Sequence, residues 1–160
     1  MATPRDIRRL ALQALYQLDA RDGDEDAVRA SIQDSASEGR VTFQDDEREQ
    51  ALELASRAHA SRAEADALVE SLAPTWPASR QPAIDRAILR LAHYEMTAGV
   101  SPPKVVVNEA IELAKQFSTE RSPAFINGVL DKILKQLQRQ GEVAGAVAES
   151  PEAESSDSPE

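Results

Sequence analysis

The chain contains no cysteine, and aromatic residues make up only 4% of its 160 positions. The absence of cysteine excludes disulfides, thiol chemistry and cysteine-ligated zinc, and it is compatible with a reducing cytoplasm. No apolar run approaches the roughly 18 residues that a membrane span needs, and no cationic, apolar leader opens the chain. The sequence therefore predicts a cytoplasmic protein with no membrane segment.

Acidic residues outnumber basic ones, 28 to 18, which gives a net charge of −10. The excess is uneven, because positions 142–160 carry six acidic residues and no lysine or arginine, and without them 18 basic residues face 22 acidic ones. The C-terminal positions are mostly Gly, Ala, Ser, Pro and Glu, a composition that does not support a packed core. We expect one domain over residues 1–140 and a disordered acidic tail over 141–160. Because charges are screened beyond roughly 10 Å, a basic patch on such a domain can still bind phosphate.

Apolar residues recur at helical spacing through most of the chain and predict a compact all-α fold of about seven helices. Thr3, Pro4 and Asp6 predict the start of the first helix, with threonine as the N-cap, proline in the first turn and aspartate answering the cap. Other helix boundaries are predicted near Asp24, Ser61, Pro82, Gly99, Ser101 and Ser122.

The first predicted helix carries a cationic stripe. Arg5, Arg9, Gln13 and Tyr16 fall on one side of it at about four-residue spacing, and Arg8 lies in the same first turns. Guanidinium groups hold phosphates or stack on bases, amides bind base edges, and a tyrosine offers a stacking plane, so this stripe suits single-stranded RNA. The alternative interpretation is a solvated face with Tyr16 packed in the core.

A second group of polar residues lies on the helix that follows Pro82. It comprises Asp85, Arg86, Arg90, Tyr94 and Glu95, and the apolar residues of that helix are expected to face elsewhere. Such a face can dock a partner protein. Ordinary surface ion pairs, which contribute little each, are the alternative interpretation.

The last two predicted helices contain residues that disfavour a helix interior. Asn108, Asn127 and Gly128 interrupt strong apolar stripes, the first of which ends at Phe117. Glycine costs roughly 1 kcal/mol relative to alanine in such a position. We interpret Gly128 as a point of close approach by another helix, and Asn108 as a buried or capping hydrogen-bond partner.

No set of residues predicts catalysis or metal binding. His59 and His93 fall in separate helices, without a glycine-rich phosphate loop or the His and carboxylate spacing of a metal site, so each is interpreted as structural. The acidic cluster at positions 45–49 is interpreted as the first turn of a helix, where the helix dipole favours negative charge. We expect neither an enzyme nor a cofactor.

Four segments, in this order along the chain, resemble the NusB transcription antitermination family: RRLALQALYQLD, IDRAILRLAHYEM, VVVNEAIELAKQF and SPAFINGVLDKI. The resemblance covers about residues 5–137. It implies an all-α fold of two packed helical subdomains and a role as an RNA-binding transcription factor. Members of the family bind the boxA element of ribosomal RNA leader transcripts together with a small ribosomal protein, NusE, as a heterodimer. They join the RNA polymerase antitermination complex, which resists termination.

The resemblance also assigns site residues by motif. The residues that it implies for RNA binding are Arg5, Arg8, Arg9, Gln13, Tyr16, Phe125 and Asn127, and Arg121 adds positive charge beside them. The residues that it implies for the protein partner are Asp85, Arg86, Arg90, Tyr94 and Glu95.

Two other functions stay open. NusB-like domains also occur fused to RNA methyltransferases as substrate-binding modules, so the chain could be a separate RNA-binding subunit of such a system, although no cofactor-binding domain follows Leu137. A purely protein-binding helical scaffold would leave the stripe from Arg5 to Tyr16 without a role. Whether the free protein is a monomer or a homodimer is also open.

Overall fold

The computed structural model describes residues 2–141, except for the side chains of positions 35–38. These residues form seven α-helices and a short 3-10 helix, and no strand occurs within that range. The helices are α1 (Pro4–Ala20), α2 (Glu25–Glu38), α3 (Asp45–Ala60), α4 (Arg62–Leu72), α5 (Ala83–Thr97), α6 (Pro103–Phe117) and α7 (Ser122–Arg139), with the 3-10 turn at Ala78–Arg80. The all-α prediction is confirmed. The predicted tail from Glu142 onward lies outside the described residues.

Local sequence signals account for the helix boundaries. At the start of α1 the Asp6 backbone N–H donates to Thr3 Oγ1 at 3.1 Å, and the Thr3 N–H donates back to Asp6 Oδ2 at 2.8 Å. These hydrogen bonds from the Thr3 backbone and side chain hold the pKa of Asp6 below its usual value. The acidic cluster occupies the first turn of α3, and the chain breaks at Ser61 between α3 and α4. Each of these boundaries agrees with the prediction.

The helices pack as two groups, as the resemblance implied. α1, α2 and α3 contact one another, and α4 to α7 form the second group. α5 is the central helix, since it contacts α1, α3, α4, α6 and α7. Its middle residues Ile88, Leu89 and Leu91 are almost fully buried. Because α5 is surrounded on so many sides, even its polar residues must find partners inside the protein.

Both interpretations of the unusual C-terminal residues are wrong. A Cβ atom built at Gly128 would meet no atom of another described helix within 4 Å, so none of the described helices approaches it closely. Asn108 is exposed rather than buried. Phe117, expected to end an apolar stripe, is 46% exposed. Gly128, Asn108 and Phe117 lie on the surface, where the spacing of apolar residues does not determine what a side chain contacts.

Replacing Gly128 with alanine is expected to raise the free energy of unfolding by about 0.5–1 kcal/mol, because a helical residue in open space gains propensity without a clash. Urea unfolding followed by circular dichroism measures the change. Gly99→Ala is the matched control: Gly99 also faces open space, but its φ is +68°, so the same substitution should destabilise there. A loss of stability at both positions would contradict the expectation for Gly128.

Candidate nucleic-acid interface

A groove with a cavity volume of about 350 Å³ runs along α1, and we call it the α1 groove. Its walls include Arg9, Gln13 and Tyr16 from α1, Arg40, Val41 and Phe43 from the α2–α3 connection, Ile84 from α5 and Phe117 from α6. Tyr16 is 41% exposed, so it is not a core residue. The groove therefore joins charged, amide and aromatic side chains in one place, as predicted for three of the α1 residues.

The two accessible arginines of α1 are held by α6. Arg5 donates from Nε and Nη2 to the two carboxylate oxygens of Glu109, at 2.9 and 2.8 Å. This pairing raises the pKa of Arg5 and lowers that of Glu109, in both cases chiefly through the hydrogen bonds. Arg9 donates to Gln116 Oε1 at 3.0 Å and to Asp6 Oδ1 at 3.1 Å. Both guanidinium groups are thus oriented at the surface by contacts that a phosphate can replace.

Arg8, which the resemblance assigned to RNA, lies in the interior instead. Its Nε and Nη2 donate to the two oxygens of Glu95 at 2.9 and 2.7 Å, and Nη1 lies 3.8 Å from Glu109 Oε1. Arg8 is 9% exposed and Glu95 is 1% exposed. The hydrogen bonds to Glu95 raise the pKa of Arg8 despite its burial. Its role in this structure is to join α1 to α5.

The predicted docking face on α5 needs the same correction for Asp85, Arg90 and Glu95, which are all buried. Arg90 donates to both carboxylate oxygens of Asp66, at 2.9 and 2.7 Å, and so ties α5 to α4. Polar helix residues are usually solvated, but acids and bases that find each other can be enclosed by packing. These three side chains hold helices together and do not form an exposed docking face.

The remaining two residues of that face, Arg86 and Tyr94, are partly exposed. Arg86 donates to Asp19 Oδ2 at 3.1 and 2.7 Å and to the Ala78 carbonyl at 2.8 Å. Burial raises the pKa of Asp19, but the hydrogen bonds and charges of Arg86 and Arg90 outweigh it and hold the pKa below its usual value. Tyr94 lines a shallow surface hollow between α3, α4 and α5.

A second cavity of about 340 Å³, which we call the Trp76 pocket, contains the C-terminal candidates Arg121 and Phe125. The other residues that line it are Trp76, Gln81, Pro82, Asp85, Thr119 and Ser122. Trp76 is 49% exposed, and its ring centroid lies 6.3 Å from that of Phe125 at an interplanar angle of 59°. Arg121 is exposed and has no ion pair or hydrogen bond to its side chain within the described part of the chain. Asn127 is exposed on α7 but lines neither cavity.

The α1 groove and the Trp76 pocket adjoin at the start of α5 and the end of α6. Ile84 and Phe117 line the groove, while their near neighbours in the chain, Asp85 and Thr119, line the pocket. Asp85 fixes this junction, because Ser118 Oγ donates to its Oδ1 at 2.5 Å and Ser122 Oγ donates to its Oδ2 at 2.9 Å. The two cavities therefore lie near each other on the protein.

The exposed charged and aromatic residues of these cavities that were not among the sequence-based candidates are Arg40, Trp76 and Phe117. Arg40 lies in the polar α2–α3 connection, and nothing in its local sequence marks it. Trp76 is the only tryptophan and lies in the connection between Pro74 and Pro77. A large apolar side chain in such a connection is the sequence feature that identifies it as a candidate.

The described residues also show how possible metal ligands, the two histidines and the long helices are placed. Within residues 2–141, no group of three or more His, Cys, Asp or Glu side chains is placed to hold a metal ion. His59 is partly buried, which lowers its pKa, and His93 is buried in α5. No helix in the described range has the length and apolar character needed to cross a membrane.

The fold and this surface define a class of protein: an all-helical domain whose exposed groove suits single-stranded nucleic acid. The model of the NusB family matches residues 5–135. A relative from Desulforapulum autotrophicum, named transcription antitermination protein NusB, is 42% identical over 146 residues, which cover 87% of this chain and 97% of the relative. The chain belongs to the NusB family, which confirms the resemblance of its four segments.

Two solved structures have the same fold. NusB from T. maritima is 32% identical, with a TM-score of 0.70 over 84% of this chain and 93% of that one. A chain in the crystal structure of the antitermination factors NusB and NusE in complex with dsRNA is 26% identical, with a TM-score of 0.68 over 82% of this chain and 96% of that one.

Proposed function

We propose that this chain is a non-enzymatic transcription antitermination factor. It binds boxA-type RNA of ribosomal leader transcripts together with NusE and joins the RNA polymerase antitermination complex in the cytoplasm. Two findings support the proposal: relatives are named as antitermination proteins, and a structural relative was crystallised with NusE and RNA. The observation that carries it is the pair of neighbouring cavities, the α1 groove and the Trp76 pocket, which bring exposed arginine and aromatic side chains together.

The RNA path follows the residues that this surface brings together. Arg9, Arg40 and Arg121 bind phosphates, because their guanidinium groups are exposed or held only by replaceable contacts. Arg5, which lines neither cavity, adds a phosphate contact from the exposed first turn of α1. Exposed aromatic rings offer stacking planes, and the Gln13 amide can pair with a base edge. The aromatic residues on the path are Tyr16, Trp76, Phe117 and Phe125. Asn127, exposed on α7, extends the path beyond the pocket.

NusE binds a different side of the protein. Tyr94 and the accessible part of Arg86 are the residues of the α5 face that a partner can reach. Residues 1–140 act as the binding domain.

The proposal is tested by fluorescence anisotropy of a labelled boxA RNA, with and without NusE, against a scrambled RNA of the same length. We expect NusE to tighten binding and boxA to be preferred by at least about tenfold, equivalent to roughly 1.4 kcal/mol. Equal binding of the two RNAs in the presence of NusE would refute sequence-specific recognition. An absence of RNA binding under both conditions would leave only a protein-binding scaffold.

A further inference from the structure

Trp76 combines an exposed ring with an anchored backbone. Its indole is 49% exposed, although large apolar side chains normally bury most of their surface. The loop around it is nevertheless fixed: the Gln81 side chain, 6% exposed, donates from Nε2 to the Trp76 carbonyl at 3.0 Å, and the Trp76 N–H donates to the Ala73 carbonyl at 2.9 Å. The ring is therefore presented to solvent by a loop that is already ordered.

The opposite wall of the Trp76 pocket is equally well fixed. Ser122 opens α7, and its hydroxyl donates to the buried Asp85, which anchors the first turn of α7 to α5. That turn carries Phe125, whose ring lies 6.3 Å from Trp76. Arg121 precedes it, with its guanidinium unpaired among the described residues. Asp85 is the acidic residue of the pocket, and both of its carboxylate oxygens already accept hydroxyl hydrogen bonds.

We propose that the Trp76 pocket is a nucleotide subsite, in which one unpaired base of the RNA stacks on the Trp76 indole while Arg121 binds the adjacent phosphate. This inference rests on the proposed function and assigns Trp76 the role of holding one RNA base by stacking. A cavity of about 340 Å³ is at the lower end of the roughly 300–1,000 Å³ found for small-ligand pockets, a size suited to a single base. Indole is a strong, sequence-tolerant stacking partner for bases, and an exposed arginine beside it supplies the charge that a nucleotide requires.

The exposed indole beside an exposed arginine, close to a groove that carries two further arginines, favours RNA over a peptide as the occupant. The start of α5 and the end of α6, which border the pocket, also contribute Ile84 and Phe117 to the α1 groove, where Arg9 and Arg40 lie. The rigid aromatic walls also lower the entropy lost when a base enters, since neither wall has to be ordered first.

The test uses the intrinsic fluorescence of Trp76, which reports on this pocket alone because the chain has no other tryptophan. The full chain is titrated with boxA RNA, with and without NusE, while Trp76 emission and the anisotropy of the labelled RNA are followed together. The Trp76→Phe chain serves as the blank for any signal from NusE. We expect emission to be quenched with the same midpoint as the anisotropy change.

Variants then separate stacking from charge. Trp76→Leu should weaken binding by about tenfold, and Trp76→Phe should restore much of the loss, because stacking on one base is worth roughly a five- to 150-fold change in affinity. Neither variant should change the slope of log affinity against log salt concentration. Arg121→Gln should lower that slope by about 0.7, the value for one phosphate contact on a single strand.

The possible failures are distinguishable. If anisotropy shows no RNA binding by the unmodified chain, with or without NusE, the proposed function and the subsite fall together. If the RNA binds but Trp76 emission does not change, the subsite alone is refuted. Quenching combined with unchanged affinity of Trp76→Leu also refutes it, because the base would then lie near the ring without being held by it.

Discussion

Replacing Glu95 with alanine is expected to lower the free energy of unfolding by about 3–5 kcal/mol, a large part of the roughly 5–15 kcal/mol that stabilises an ordinary domain. The substitution removes the two hydrogen bonds from the buried Arg8 guanidinium to Glu95, at 2.9 and 2.7 Å, and leaves only a longer one to Ser101 Oγ at 3.4 Å. Glu109, 3.8 Å away, is too distant to replace them. Urea unfolding followed by circular dichroism at 222 nm gives the change.

Two further variants establish that burial causes the loss. Glu112→Ala removes an exposed partner of Lys115 on α6 and should change stability by less than about 0.5 kcal/mol. The double variant Arg8→Met, Glu95→Leu should recover most of the stability, because apolar residues of similar volume often replace a buried ion pair at little cost. If Glu95→Ala were no more destabilising than Glu112→Ala, the Arg8–Glu95 pair would not stabilise the contact between α1 and α5.

Replacing Arg9, Arg40 and Arg121 together with alanine is expected to weaken RNA binding by about 100-fold near 0.1 M salt. Each lost phosphate contact on a single strand reduces the slope of log affinity against log salt concentration by about 0.7, so three contacts reduce it by about 2. Arg8 is left unchanged because it is internal. Anisotropy titrations of labelled boxA RNA at several salt concentrations measure both quantities.

The matched control removes the same charge elsewhere. Lys132, Lys135 and Arg139 are exposed on α7 and line neither the α1 groove nor the Trp76 pocket. Their replacement with alanine should leave the slope nearly unchanged. An equal reduction by both triple variants would show that binding follows the net charge of the protein and not the arginines of this surface.

Helix boundaries were predictable from the sequence because their causes are local. The Thr3 cap, the acidic start of α3 and the break at Ser61 each depend on residues within one turn. The Arg8–Glu95 pair was not, since its members are 87 positions apart. One signal for Arg8 did exist: Leu12 and Leu15, one and two turns further along the same side of α1, are both buried, whereas Arg5 and Arg9 lie farther from the centre of the buried face.

The candidate site was predictable in part, for a related reason. Helical spacing put Arg9, Gln13 and Tyr16 together, and the structure agrees. The rest of the surface depends on tertiary packing: Phe117 joins α1 only because α6 ends beside it, and Arg40 arrives on a connection with no periodic pattern. A single sequence does not show which residues of different helices and connections become neighbours in the folded protein.

The long sequence separation of the arginine contacts also governs when the protein can assemble. Glu95 follows Arg8 by 87 positions, and Glu109 follows Arg5 by 104. At a synthesis rate of roughly 5–20 residues per second, the nascent α1 waits about 4–17 s before Glu95 is even made. During that interval its three arginines have no acidic partners from α5 or α6. Translation of this chain therefore passes through a stage in which Arg5 and Arg8 lack their carboxylate partners, and that stage ends only when α6 has been made.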